Sequence, residues 1–216
     1  MSVDRITAAV PRGTLMSGSL SLLERAGYDV DEVRDNDRKL FFERQGLITM
    51  RPSDVPTYVE RGVADIGIAG KDVLMEQSDR DLYELVDLEF GACSLVVAVA
   101  GADAQTADES SRRRGTLRVA TKYPRITEQY FSSTGRQVEL VEVKGSVELA
   151  AIAGLADAIV DITATGTTLR ENGLVVSEQI IDCSARLIAN PGAYRLKSEA
   201  IDAVVEQLRQ MVATQS

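Results

Sequence analysis

The segment Ala158-Ile-Val-Asp-Ile-Thr-Ala-Thr-Gly-Thr-Thr168 gathers the residues of this chain best suited to chemistry. Apolar residues run into small hydroxyl side chains around one glycine, and a helix is expected to start at Thr167. Backbone N–H groups at such a start have no intrahelical partner and carry the positive end of the helix dipole, so they suit an anion. Gly166 lets the backbone approach that anion closely, and Thr165, Thr167 and Thr168 add short hydroxyl donors. Asp161 has a different use. Its carboxylate would repel a phosphate but accept hydrogen bonds from sugar hydroxyls. Phosphate beside vicinal hydroxyls describes a ligand such as ribose 5-phosphate. A Thr-rich helix cap with no ligand is the competing reading, although the hydroxyls exceed what one cap uses. The Gly-x-x-x-x-Gly-Lys spacing of a nucleotide P-loop is missing, as is the dinucleotide fingerprint.

The chain has 216 residues and no histidine. That removes Ser-His and Cys-His nucleophile pairs, histidine metal sites and imidazole acid–base catalysis. Chemistry must therefore run on carboxylates, Lys, Arg, Thr, backbone amides or a bound metal. Lys and Arg number 24 against 33 Asp and Glu, a net charge of −9, which argues against a nucleic-acid binder. A polyanionic small molecule then needs a place where basic side chains converge. Arg12, Arg51 and Lys71 each follow an expected strand, and the triple Arg112-Arg-Arg114 closes a small, acidic stretch that reads as an exposed loop. Cys93 and Cys183 lie far apart with no CxxC spacing and read as small hydrophobes rather than a disulfide or a zinc site. Asp4 and Arg5 precede any apolar stretch, so no export signal is read, and the apolar run near Leu95–Ala102 is too short to cross a bilayer. A cytoplasmic setting, with no membrane partner, is the expectation.

The elements that must position these residues alternate. Strands are expected at Ile6–Val10, Leu47–Met50, Gly62–Gly70, Ser94–Ala100, Leu117–Ala120, Val138–Val143, Asp157–Ile162 and within Gln179–Asn190. Helical spacing follows Leu20-Leu22-Leu23-Ala26 with Gly27 as C-cap, Asp54–Arg61 with Ser53 as N-cap, Lys71–Gln77, Arg125–Gly135, Val147–Ala153 and Thr167–Asn172. The last helix, Ser198–Thr214, turns Ile201, Val204, Val205, Leu208 and Val212 to one face. Such βαβα alternation predicts an α/β fold of mostly parallel sheets, with ligands at the carboxyl ends of the strands. The expected organisation is two lobes, residues 1–92 with 183–216 and residues 93–182, with no repeat of fixed period.

Several of these segments together resemble the signature of the ATP phosphoribosyltransferase family. They are Lys144-Gly-Ser-Val-Glu-Leu-Ala150, Gly154-Leu-Ala-Asp-Ala-Ile-Val-Asp161 and Thr165-Gly-Thr-Thr-Leu-Arg-Glu-Asn-Gly173. Arg51-Pro-Ser-Asp-Val-Pro-Thr-Tyr-Val-Glu60, Ala64-Asp-Ile-Gly-Ile-Ala-Gly-Lys-Asp-Val73, Ala120-Thr-Lys-Tyr-Pro124 and Ser184-Ala-Arg-Leu-Ile-Ala-Asn190 extend the likeness over nearly the whole chain. It implies a fold like the type II periplasmic binding proteins, with the active site in the cleft between lobes. The implied reaction moves a phosphoribosyl group from phosphoribosyl pyrophosphate to N1 of ATP, releases pyrophosphate and opens histidine biosynthesis. Magnesium is implied, carried by the substrates rather than ligated by the protein. The long family form adds a regulatory domain of roughly 70–80 residues. This chain looks like the short form, which implies a homodimer within a hetero-oligomer and a regulatory subunit resembling histidyl-tRNA synthetase.

By position in these motifs, the resemblance places Glu148, Asp161, Thr165, Gly166, Thr167 and Thr168 on phosphoribosyl pyrophosphate. Arg12, Gly13, Arg51 and Lys71 are placed on ATP or pyrophosphate, and Arg38, in Asp37-Arg-Lys-Leu40, matches the family arginine that meets pyrophosphate. On residue type alone Arg38 also fits a solvated charged turn. The chain departs from the family at Pro11-Arg12-Gly13-Thr14, where a second cation usual after the glycine is Thr14, and at Ala92, where an arginine is common. A binding or sensor module without catalysis shares the expected fold and is the alternative. A type I phosphoribosyltransferase is a further rival, but its loop shows adjacent acidic residues where this chain has Val160-Asp161.

Overall fold

A computed structural model describes residues 6–36, 38–101 and 116–214. The expected exposed loop with Arg112-Arg-Arg114, and the residues Asp4 and Arg5, lie outside the described residues. The chain divides into two compact units, Met1–Gly91 with Ser184–Ser216 and Ala92–Cys183.

The first unit holds a six-stranded sheet. Its strands are β1 (Ala8–Pro11), β2 (Phe41–Phe42), β3 (Leu47–Met50), β4 (Ile66–Gly70), β5 (Tyr83–Asp87) and β11 (Ala185–Ala189), ordered β2-β3-β1-β4-β11-β5. The pair β1–β3 and the pair β1–β4 are parallel, whereas β2 and β11 run against their neighbours. Apolar residues alternate to both faces. Val10, Ile66, Ile68 and Leu187 face one core with Leu23, Phe42 and Leu208, and Ala9, Ile48, Ala69 and Ile188 face another with Val55 and Val59. Burial on both faces is why these strands read as continuous apolar runs. Gly67 belongs to this packing: a Cβ there would lie 2.7 Å from Val59 Cγ2 and 2.9 Å from Val55 Cγ1. The helix Val55–Glu60 approaches the sheet this closely only because position 67 has no side chain.

The second unit repeats the plan. Its strands are β6 (Cys93–Ala100), β7 (Leu117–Thr121), β8 (Val138–Glu142), β9 (Ala158–Thr163) and β10 (Leu174–Cys183), ordered β10-β6-β9-β7-β8. Here β7–β8 and β7–β9 are parallel, and β6 alone runs against both neighbours. In each unit most strands point one way and, apart from the edge strand β2 of the first sheet, one antiparallel strand enters next to the last. That intruder is β11 in the first unit and β6 in the second, so the chain passes between units after β5 and again after β10. Val96, Ala120, Val147, Ala150, Ile159 and Leu169 form the second unit's core.

The expected elements are present with bounds shifted by a few residues. The final helix, Ser198–Ala213, buries Ile201, Val204, Val205, Leu208 and Val212 as its spacing predicts. One reading needs correction. Ser53 does not cap the helix after β3: Pro52 starts a 3-10 turn at Pro52–Asp54, closed by Asp54 N–H donating to Arg51 O at 2.9 Å, and the α-helix begins only at Val55. Cys93 and Cys183, distant in sequence, are thiols, as small hydrophobes rather than a disulfide. They stand opposite each other in the β6–β10 register, with Cys183 buried and Cys93 half-buried. The short β2, the helices Asp31–Asp35 and Pro191–Leu196, and β5 gave no sequence signal.

Candidate functional site

Parallel strands deliver the candidate cations of the first unit to one edge of its sheet. Pro11 pairs with Met50, so Arg12 and Arg51 follow the carboxyl ends of adjacent strands, and Arg12 N–H donates to Met50 O at 2.8 Å. The next strand on the other side, β4, leads into Lys71. Because β2 runs antiparallel to β3, its start lies at the same end: Thr49 N–H donates to Leu40 O at 2.8 Å. The segment with Arg38 thus enters β2 from the end of the sheet at which Arg51 leaves β3. An Asx turn shapes its segment, with the Asn36 carboxamide oxygen accepting from the Arg38 and Lys39 amides at 3.3 and 3.1 Å. The Arg38 and Arg51 side chains are exposed and Arg12 is half-buried, while Gly13 turns the chain at φ +83°. Lys71 behaves differently. Its ammonium is 2.7 Å from Glu84 Oε2, and Glu84 also meets Arg186, so this cation is engaged on the sheet itself.

In the second unit the Asp161–Thr168 loop leaves the carboxyl end of β9. Asp161 is the last buried residue of that strand, its side chain only 8% exposed. Its Oδ1 accepts from the Ile162 amide at 2.8 Å, and its Oδ2 lies 3.2 Å from Lys122 Nζ. Burial pushes the carboxyl pKa up; Lys122 and the Ile162 N–H work against that rise, and the negative charge of Glu148 adds to it. Glu148, the first residue of the helix Glu148–Ile152, is thereby an electrostatic neighbour of Asp161.

The loop beyond is held by its own side chains. Gly166 takes φ +70°, which favours glycine, and its amide donates to Thr163 Oγ1 at 2.9 Å. Thr165 and Thr167 share a hydroxyl–hydroxyl bond of 2.9 Å. Arg170 reaches back, donating to Thr165 O at 2.9 Å and to Thr167 Oγ1 at 3.0 Å. The helix that follows, Thr167–Glu171, has Gly166 at its N-cap and no side-chain cap bond. Part of the threonine run nonetheless acts as a cap, with Thr163 Oγ1 accepting from the Gly166 amide and Thr165 Oγ1 from the Thr167 amide at 3.4 Å. Thr165, Thr167 and Thr168 are exposed, and Gly166 serves the shape of the loop rather than offering its own N–H. Sequence reasoning assigned no role to Lys122 or Arg170; Arg170 was legible as the basic residue one turn into a Thr-rich helix start, whereas Lys122 reaches Asp161 only through strand pairing.

The family model described as HisG, ATP phosphoribosyltransferase, matches residues 51–210. The chain is 47% identical to the ATP phosphoribosyltransferase of Geobacillus sp. (strain WCH70) over 211 residues, 96% of this chain and 98% of that one. It is 45% identical to that of Halalkalibacterium halodurans, over 97% of this chain and 98% of the other. The chain belongs to the ATP phosphoribosyltransferase family. Among solved structures it is similar to the ATP phosphoribosyl transferase (HisG:HisZ) complex from Thermotoga maritima, with a TM-score of 0.80 and 33% identity over 97% of this chain and 100% of that one. The ancestral amino acid-binding protein AncCDT-1 shares the fold, with a TM-score of 0.54 at 15% identity over 76% of this chain and 71% of that one.

Proposed function

We infer that this chain transfers the phosphoribosyl group of phosphoribosyl pyrophosphate to N1 of ATP, giving N1-(5-phosphoribosyl)-ATP and pyrophosphate, the first step of histidine biosynthesis. Membership of a family whose full-length relatives carry this name supports the reaction. The observation that carries the site is the juxtaposition in the second unit of a buried acceptor carboxylate and an exposed, pre-shaped threonine loop. A binding module without catalysis is not favoured by that family membership.

Displacing pyrophosphate from the anomeric carbon builds positive charge on the ribose and negative charge on the leaving group. Catalysis then consists of aligning two polyanions and neutralising the departing charge. Asp161 and Glu148 accept the ribose hydroxyls, and Thr165, Thr167 and Thr168 with the loop amides hold the 5-phosphate. Arg38, Arg12 and Arg51 hold ATP phosphates and the departing pyrophosphate, since arginine stays protonated and binds phosphate through two N–H groups. Gly13 gives the backbone its turn beside Arg12. Lys71 joins them only by leaving Glu84.

Among the described residues no group of three or more His, Cys, Asp or Glu is placed to hold a metal ion. We propose that magnesium is bound chiefly by substrate phosphates, the usual manner for that ion. When bound, it neutralises charge on the departing pyrophosphate. We place the enzyme in the cytoplasm; no helix among the described residues is long and apolar enough to cross a membrane. Likeness to a HisG:HisZ complex supports a separate partner subunit, and we propose that this partner is regulatory, resembles histidyl-tRNA synthetase and binds a homodimer of this chain.

The test is an assay with ATP, phosphoribosyl pyrophosphate and magnesium, with and without the regulatory subunit encoded by the same genome. Pyrophosphate is expected only when both substrates are present. Release from phosphoribosyl pyrophosphate alone, or no release in either condition, would sink the assignment.

A further inference from the structure

Lys122 has no part in the reaction as set out above, yet it is the cation nearest the buried carboxylate of the second unit. Its place follows from the sheet. In the parallel pair β7–β9, Thr121, the last residue of β7, stands opposite Val160, so the next residue, Lys122, leaves the strand end near Asp161 and its ammonium meets that carboxylate. The backbone there is fixed by buried hydroxyls: Thr121 Oγ1 accepts from the Tyr123 amide at 2.8 Å, and Thr127 Oγ1 donates to Tyr123 O at 2.6 Å. Thr121 and Thr127 are both fully buried.

The pair is asymmetric, which separates it from a solvated surface ion pair. The Lys122 side chain is 37% exposed and the Asp161 side chain 8%. A buried carboxylate needs a partner, whereas the half-exposed ammonium can find water. Each Asp161 oxygen has one donor, Ile162 N–H on Oδ1 and Lys122 Nζ on Oδ2. A carboxylate offers about four lone-pair directions, so room remains for two sugar hydroxyls.

We propose that Lys122 is a positioning residue for phosphoribosyl pyrophosphate: it fixes the Asp161 carboxylate in the orientation that accepts the ribose hydroxyls. The inference rests on the ribose-binding role given to Asp161 above. The groups facing that carboxylate are Lys122 from the end of β7, Glu148 from the helix Glu148–Ile152, the Ile162 amide on its own strand and, from β6, the apolar Val96 opposite it in register. Burial raises the Asp161 pKa and Lys122 is the strongest influence lowering it. Removing the ammonium therefore lets Asp161 take up its proton at a higher pH, and a protonated carboxyl accepts fewer hydroxyls.

The experiment titrates phosphoribosyl pyrophosphate with magnesium into the full chain by calorimetry across a pH series, for the native protein, Lys122→Met, Lys122→Arg and Asp161→Asn. Lys122→Met is expected to bind roughly tenfold more weakly near neutral pH, the scale of one lost charge-assisted contact. It should also lose binding at a higher pH than the native protein as the solution is acidified, and Lys122→Arg should restore that limb. Lys122→Gln serves the same test should the Met variant fold poorly. Native binding and an unshifted acid limb in Lys122→Met, with Asp161→Asn weakened, would overturn the role of Lys122 alone. A loss that is the same at every pH would overturn it too. Native binding by Asp161→Asn would instead remove the ribose site, and this inference with it.

Discussion

At the residue scale, the account turns on side chains whose burial and charge differ sharply. Arg38 is exposed and its segment is shaped by an Asx turn rather than by its guanidinium. Arg38→Ala is therefore expected to lower turnover by roughly 10²–10³, the scale of losing one preorganised donor to developing charge, with a melting temperature close to native. Steady-state kinetics beside a thermal melt checks both, and native turnover in folded protein would remove Arg38 from the mechanism. Asp161 should show the opposite balance. Its pKa is raised by burial, so the folded state holds the proton more firmly than the unfolded chain does. The stability this provides is present below the unfolded pKa and is lost as pH rises through the folded one. Asp161→Asn, of the same shape without the charge, should match or exceed the native melting temperature above neutral pH while weakening phosphoribosyl pyrophosphate binding. A marked fall in its melting temperature there would contradict the reading. The local run of Asp, Thr and Gly made this half of the site legible in sequence. Lys122 was not, because a residue just past β7 meets a β9 residue only once the strands pair.

At the element scale, the loop between β9 and the helix Thr167–Glu171 owes its form to Gly166 and Arg170. A side chain at position 166 would sit in a left-handed backbone, at a strain of roughly 1–3 kcal/mol, and its Cβ would come 2.9 Å from Arg170 Nη1. Gly166→Val should raise the dissociation constant for phosphoribosyl pyrophosphate by about tenfold or more, since that strain equals roughly one to two factors of ten. Calorimetry that finds native affinity would detach the loop from phosphate binding. Strands such as β3, β4 and β9 were legible because both their faces are buried and their sequences run apolar. The strand β5, Tyr-Glu-Leu-Val-Asp, was not, since it has only Val86 buried and lies at a sheet edge. The start of β10 at Leu174 was likewise hidden, because irregular register near Val176–Glu178 and Gln179–Ile181 interrupts the alternation on which a strand reading depends.

At the scale of the whole molecule, a chain of net charge −9 is assigned two polyanionic substrates. The register of each sheet resolves this: in the first unit three arginines distant in sequence arrive at one edge, and in the second a neutral threonine loop sits beside one buried acid. The βαβα alternation foreshadowed mostly parallel sheets, but not the orders β2-β3-β1-β4-β11-β5 and β10-β6-β9-β7-β8, nor the antiparallel strands β2, β11 and β6, the last two of which depend on where the chain crosses between units. The most direct test of the central claim uses phosphoribosyl pyrophosphate labelled with ¹³C at the anomeric carbon and ATP labelled with ¹⁵N in the adenine ring. With magnesium and the regulatory subunit present, nuclear magnetic resonance should show one-bond coupling between that carbon and adenine N1, formed in equal amount with pyrophosphate. Labelled ribose 5-phosphate without such coupling, or coupling to another nitrogen, would contradict the account.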